Sequence, residues 1–409
     1  MTDRAAIAYL RSPRAIRERC QQIFDLATVD RLRYFRLDLS QLERVADYVL
    51  EVTKQSYPDL QVPFHSRWRH FEVGTTPRLT QLEHQLAALS PRARARAKFD
   101  LAVVSVLLDA GAGADWQYQE PIGGELFRRS EGLAVASFHL FLAGNLSSLP
   151  EQPWRADARG LQQLTMADLA TSFQVNSANP LVGLEGRLQL LQRLGQVLGQ
   201  FPQLFGPSQP RPGHLVDYLL TQVKDNELKA AVVLEAVLEG LGEIWAGRLR
   251  LAGVNLGDVW GHPALPADDL TSQLVPFHKL SQWLTYSLLE PLQELGIQIT
   301  GLDELTGLPE YRNGGLCLDL GLLQLKDPTV VNTPHLPGSE LVVEWRALTV
   351  ILLDRIAATL RDRLQLTPAQ LPLVKVLQGG TWTAGRQIAA KLRPGGEPPL
   401  AIESDGTVF

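Results

Sequence analysis

Cysteine is nearly absent from this chain. The two thiols, Cys20 and Cys317, lie far apart in sequence, which excludes a disulfide framework and points to a reducing compartment. An excess of positive charge is also missing. The formal net charge is -5, and a protein living on nucleic-acid phosphate needs a basic footprint. Long apolar runs are missing too. The longest, such as 101–108, fall well short of the ~20 residues that span a bilayer. The N-terminus, MTDRAAIAYLRSPRAIRERC, carries no apolar core of a signal peptide, and no internal repeat is visible. These absences predict a cytoplasmic, reduced protein with neither a nucleic acid nor a membrane as partner.

What is present is a helix-rich chain of 409 residues, 45% hydrophobic and 20% charged, long enough for a large core in one or two lobes. Ser12-Pro13 and Ser90-Pro91 are helix starts, with Ser as N-cap and Pro in the first turn. Ser40-Gln-Leu-Glu43 reads as a capping box, followed by Leu42, Val45, Ala46, Val49 and Leu50 on one face. Segments 216–223, 230–245, 277–295 and 341–364 have helical period, with Pro291 set to kink or divide the third. Strand signals are few. Leu316, Leu318 and Leu320 alternate with Cys317 and Asp319, and 401–409 contains a Ser-Asp-Gly turn. The expectation is a mainly α protein with a small β element near 314–325 and in the tail. Breaks near 145–154 and 206–213 suggest an N-terminal helical part over 1–146, a connecting region over 147–213 and a C-terminal helical part over 214–409, or one integrated domain.

The densest chemistry lies in 301–326, GLDELTGLPEYRNGGLCLDLGLLQLK. Four carboxylates, an arginine, a cysteine and repeated glycines interrupt the helical pattern there, and such interruptions often mark working sites. Glu310, Tyr311 and Arg312 are consecutive. A guanidinium beside a carboxylate holds it ionised, and an ionised carboxylate suits an electron-poor sugar carbon during bond cleavage. A buried Glu–Arg pair ordering a loop is the bland alternative. Alternation on a strand would put Cys317 and Asp319 on one face, so Glu310, Cys317 and Asp319 form an alternative zinc-ligand set.

Segment 65–72 packs His65, Arg67, Trp68, Arg69 and His70 ahead of Glu72. Arginine forks suit carboxylates or phosphates and the indole suits a planar group, against the alternative of a structural Arg–Glu network on a loop. Other candidates are weaker. Segment 119–132 could wrap a ligand or be a surface loop. Gly257-Asp-Val-Trp-Gly-His262 reads as a turn more than a metal pair. Lys279 begins a helix, Glu340 and Glu344 share a helix face with Arg346 following, and 378–386 looks like a glycine-rich turn whose amides could bind an anion.

Several of these stretches resemble the uracil-catabolism family of the URC pathway. They are HSRWRHFE, VVSVLLDAGAG, RSEGLAVAS, ITGLDELTGLPEYRNGGLCLDLG, VEWRALTVILLD, VLQGGTWTAGR and SDGTVF, and together they run from about residue 65 to 409. Val73-Gly-Thr-Thr-Pro77 departs from the more glycine-rich continuation expected after HFE. The resemblance implies an oxygen-independent route that opens the pyrimidine ring and yields urea through a ribosylurea-type intermediate. LPEYRNGGL followed by GSELVVEWRALTV is more distantly similar to queuosine-nucleotide N-glycosylases, whose helical fold resembles that of DNA glycosylases. That similarity implies a DNA-glycosylase-like, two-lobed helical fold. Glu310 would stand where that family has Asp beside Tyr-Arg. Glu344 and Arg346 would match a later helix, and Lys279 a lysine before an earlier site helix.

We therefore expect an N-ribosidase-like hydrolase of pyrimidine degradation, acting on a small nucleoside- or nucleotide-derived substrate. Glu310, Tyr311, Arg312 and Asp319 would be catalytic, with Tyr311 or Asp319 the proton donor. His65, Arg67, Trp68, Arg69, His70, Lys279, Glu344 and Arg346 would bind substrate, with His65, Arg67 and Arg69 able to hold a 5-phosphate. No cofactor is expected; zinc on the alternative ligand set, or a non-catalytic pathway scaffold, is the rival. Oligomeric state has no signature in the sequence.

Overall fold

The computed structural model describes residues 2–109, 111–245, 247–269 and 271–403. The protein is mainly α, as its periodicity predicts. Its strands are not confined to one place. They form five two-stranded pairs spread along the described residues, of which the parallel one joins Glu227–Lys229 to Gln298–Thr300. The segment read as a strand over 316–320 is helical, in Tyr311–Asp319. The neighbouring strand Leu323–Leu325 does form, antiparallel to Phe35–Leu37. In the tail, Ile402 makes an isolated bridge with His335; the Ser-Asp-Gly turn lies outside the described residues.

The chain divides into two compact units of discontinuous segments. The first is built from Met1–His65, Arg248–Gln282 and Gly301–Phe409, the second from Ser66–Gly247 and Trp283–Thr300. In the first unit the helix Glu340–Leu364 is buried at every position from Leu341 to Leu353, as a helix apolar around its circumference must be. The helix Pro13–Thr28 packs against it with Ile16, Cys20, Ile23 and Phe24. Ser12 caps that helix by accepting from the Ala15 amide at 3.2 Å, with Pro13 in the first turn. Leu42–Ser56 buries Val45, Ala46 and Val49 as its period requires, but its N-cap is Gln41 and Ser40 lies in the preceding 3-10 turn, so no capping box forms. Segment 378–386 is no turn either: a π-helical stretch Leu377–Thr381 runs into the helix Trp382–Leu392, which leaves no open amide nest.

In the second unit Pro91–Leu107 and Arg129–Leu142 bring Phe99, Phe138 and Phe141 into a common core with Phe71. Pro291 neither ends nor divides the helix Lys279–Glu294. Proline has no N–H to give the carbonyl four residues back, here Ser287. The Trp68 indole supplies the missing donor, bonding Ser287 O at 2.7 Å, while the Ser287 hydroxyl accepts from the Arg67 amide at 2.9 Å. Segment 65–72 is thus anchored where Pro291 leaves a carbonyl open.

Candidate functional site

Glu310 is the N-cap of Tyr311–Asp319, and its carboxylate accepts from the Arg312 amide at 2.8 Å and the Asn313 amide at 2.7 Å. Helix N-termini leave such donors open, and a carboxylate there also meets the positive end of the dipole. Gly314 allows the helix to lie against the next: a Cβ there would come within 2.7 Å of the Trp345 indole. The Arg312 guanidinium does not pair with Glu310. It stacks 4.8 Å from the Tyr311 ring centroid and donates to Gly396 O at 3.2 Å. The expectation of a carboxylate held ionised by its neighbour is therefore corrected. Burial pushes the Glu310 carboxyl above its ordinary range, against the two amides and the charges of Lys279 and Arg312, which pull it down.

Lys279 links this carboxylate to His65, because its charge acts on both. His65 is 5% exposed, and burial lowers it to about 4, so the ring is neutral near pH 7. Its Nδ1 lies 2.9 Å from Gln378 Oε1, and Gln378 in turn donates to the Tyr57 hydroxyl at 3.2 Å. That orientation puts the ring proton on Nδ1. The half-buried indole of Trp382 lies 5.8 Å from the His65 ring. The first unit thus brings together a desolvated carboxylate, an ammonium, a neutral imidazole and an indole. Of the sequence-derived residues, His65, Lys279, Glu310, Tyr311 and Arg312 belong to this neighbourhood.

Asp319 and Cys317 are committed elsewhere. Asp319 pairs with both terminal nitrogens of Arg393, at 2.8 and 2.5 Å. Cys317 is fully buried and burial pushes its thiol up to about 12, which disfavours the thiolate that binds metals. Among the described residues the Glu310–Cys317–Asp319 set is not one that brings metal-ligand atoms together. The strand that would have aligned two of its members is a helix.

Glu344 and Arg346 lie in a buried network. The Glu344 carboxylate is 0% exposed and accepts from the Arg33 and Tyr34 amides, each at 3.0 Å. Arg346 grips Asp258 through two bonds of 2.7 Å, with its guanidinium 4.1 Å from the Phe277 ring centroid. Burial pushes the Asp258 carboxyl up, but the Arg346 charge and hydrogen bonds, with the Trp260 indole, hold it well below the usual range. Asp258 also accepts from the Lys279 amide at 3.1 Å, so this pair fixes the helix start from which Lys279 projects.

In the second unit Arg67 is 0% exposed, donates to the Ser105 hydroxyl at 2.6 Å and pairs with Asp109 at 2.5 Å. His70 sits 3.4 Å from it and edge-on to Trp283. Arg69 spans Glu72 at 2.9 Å and Glu290 at 3.0 Å. Trp68 is 4% exposed, with its N–H used by Ser287. Segment 65–72 is a helical turn, Arg67–Phe71, and not a loop. Its guanidiniums already face carboxylates, as the structural alternative supposed.

Residues 9–409 match the family model described as Protein of unknown function (DUF1688). The chain belongs to the DUF1688 family. Relatives align along its whole length. Protein urg3 of Schizosaccharomyces pombe (strain 972 / ATCC 24843) is 40% identical over 411 residues, covering 98% of this chain and 99% of the relative. Uracil catabolism protein 4 of Lachancea kluyveri is 38% identical over 443 residues, covering 100% of each.

Three residues that position the site in this DUF1688 chain escape sequence reasoning. Asp258 stands in a stretch read as a turn. Gln378 and Trp382 stand in a stretch singled out for its glycines and not for these side chains. Only the pairing of Asp258 with Arg346, 88 positions later, and of Gln378 with His65, 313 positions earlier, and the packing of Trp382 beside the same imidazole reveal them. No helix among the described residues is long and apolar enough to cross a membrane.

Proposed function

We propose that the chain acts in uracil catabolism as an N-ribosidase-like hydrolase, cleaving the bond between the ribose anomeric carbon and a urea nitrogen of a ribosylurea-type substrate. The name of the Lachancea kluyveri relative, Uracil catabolism protein 4, supports the pathway. The observation that carries the chemistry is Glu310, a desolvated carboxylate held by two amides with the Lys279 charge nearby. Burial makes it a stronger base than a free glutamate. Water attacks the anomeric carbon as its bond to nitrogen breaks, Glu310 takes the proton from water, and the departing urea nitrogen receives a proton. The negative charge of Glu310 also favours the oxocarbenium-like transition state. Of the two donors considered, Tyr311 remains, since Asp319 is clamped by Arg393.

The substrate in this reading is ribosylurea without a phosphate. His65 is neutral near pH 7 and Arg67 and Arg69 face carboxylates, so the three side chains expected to hold a 5-phosphate are neutral or already paired. Incubating purified protein with ribosylurea and, separately, its 5-phosphate, and quantifying urea and free sugar, tests this. Urea release from ribosylurea is expected. Release from neither compound overturns the hydrolase, and release from the phosphate alone overturns the substrate assignment.

A further inference from the structure

The first turn of Glu340–Leu364 and the strand Val259–Gly261 bring together three side chains that the hydrolase reading does not use in its chemistry. Glu340 and Glu344 are one helical turn apart and share a face. His262 follows the strand, its backbone amide bonded to Gln273 O at 2.9 Å. The close approach of Trp260 to Gly338 shows how near the strand lies to the helix start: a Cβ on Gly338 would sit 2.4 Å from the indole. One ligand atom from each of His262, Glu340 and Glu344 lies within 4.8 Å of the other two.

Two further observations point to an occupant. His262 is 1% exposed and its Nε2 is buried with no hydrogen-bond partner, 3.7 Å from Glu344 Oε1. A buried polar atom without a partner is destabilising, and this one is aimed at the carboxylates. Charge is also unbalanced. Among the described residues Glu344 accepts hydrogen bonds from two backbone amides and faces no arginine or lysine in an ion pair, and Glu340 pairs with the guanidinium of Arg33 at 3.3 Å, whose side chain is 68% exposed. Two carboxylates therefore share one solvent-exposed cation, and buried negative charge is ordinarily paired or binds a metal.

We propose that His262 Nε2, Glu340 and Glu344 bind a divalent transition-metal ion. One imidazole and two carboxylates suit ions of the zinc class, and three protein ligands leave a position for water. Without the ion, the Ala264 amide donates to His262 Nδ1 across 3.3 Å, which leaves the ring proton on Nε2. Ion binding moves that proton to Nδ1 at the cost of this long bond, and a bound imidazole ordinarily keeps its proton on the far nitrogen. The ion ties the strand to the helix. Asp258, directly before the strand, grips Arg346 and the Lys279 amide, so the ion braces the frame from which Lys279 projects and takes no part in bond cleavage.

The test needs no substrate. Tag-free full-length protein is stripped with chelator and titrated with Zn2+, followed by calorimetry, and its metal content after dialysis is read by emission spectrometry. One equivalent is expected, with a rise in Tm. Glu340→Gln is the variant least able to disturb folding, since the Glu340 side chain is 22% exposed, and His262→Gln tests the imidazole. Each should weaken Zn2+ binding by at least about tenfold, since even outer partners of metal ligands are worth that much. Far-UV circular dichroism checks that both variants fold. Wild-type protein holding well under one equivalent, or either folded variant binding as wild type does, overturns the proposal. Neither result bears on urea release, so this site and the hydrolase reading fail separately.

Discussion

Asp258 and Glu310 are half-buried carboxylates of the same compact unit, with opposite outcomes. Asp258 meets a guanidinium in two bonds and an indole N–H, and ends well below the usual carboxylate range. Glu310 meets two backbone amides and more distant cations, and burial wins, leaving it above the range. A carboxylate paired tightly enough to be depressed has no proton affinity left for chemistry near neutral pH. One that is desolvated without a direct cationic partner keeps that affinity. The first braces; the second is the one to expect at work.

Breaking the bracing pair should have the largest effect. Arg346→Met leaves Asp258 as an uncompensated buried charge and should cost about 3–5 kcal/mol in urea unfolding, with Asp258→Leu added to it recovering a good part. A loss below roughly 1 kcal/mol, the scale of an exposed pair, would show that the two carboxylates are not as different as their surroundings imply.

Glu310→Gln comes next. It keeps the shape and removes the charge, and turnover of ribosylurea should fall by roughly a hundredfold, the scale of a lost electrostatic group in a site. Thermal stability should fall by about 1 kcal/mol, because glutamine has one acceptor oxygen for the two amides that the carboxylate serves. Full activity in the variant would remove Glu310 from the mechanism.

The pH dependence sharpens the contrast further, since the two groups carry opposite signs. Folded protein binds the Glu310 proton more tightly than unfolded chain, so this group's contribution to stability is present below the ordinary value of 4.5 and is lost as pH rises through the raised folded value. Asp258 contributes above its ordinary value of 3.8, and the contribution is lost as pH falls through its depressed one. In kcat/KM the ionisation of Glu310 should appear as an acid limb with its midpoint above 4.5, absent in Glu310→Gln. A limb unchanged in that variant would assign it to another group.

The smallest effect is expected at Cys317→Ser. Activity should stay near wild type and stability should fall by about 1–3 kcal/mol, the cost of a buried hydroxyl that finds no partner. A large loss of turnover in folded protein would bring the thiol into the site and undo the separation of 310–312 from the rest of its helix.

Legibility of the fold in the sequence followed length. Pro13–Thr28, Pro91–Leu107 and Glu340–Leu364 are long, and the first two carry Ser-Pro starts, so period and caps agreed. Tyr311–Asp319 has nine residues, and over so short a span leucines at 316, 318 and 320 satisfy a period of two as readily as a helical one. The candidate site can be read as a stretch, with Glu310 and Arg312 in it, but not as a geometry. Nothing local distinguishes Glu310 as an N-cap from Glu310 as partner of Arg312. The difference is a choice between amide and guanidinium made when the helix docks against Trp345 and Thr349.

The helical class, the scarcity of cysteine, the lack of an apolar run long enough to cross a membrane and the family to which the chain belongs can all be read from the chain before it folds. These follow from composition, period and motif, which are properties of neighbouring residues. Which charges are spent and which are left is settled by contacts between distant residues. Arg346 meets Asp258, Asp319 meets Arg393, and His65 meets Gln378 across 88, 74 and 313 positions. The proton affinity of a side chain depends on the water it loses and the partners it gains on folding, and neither is encoded within its own few residues of chain.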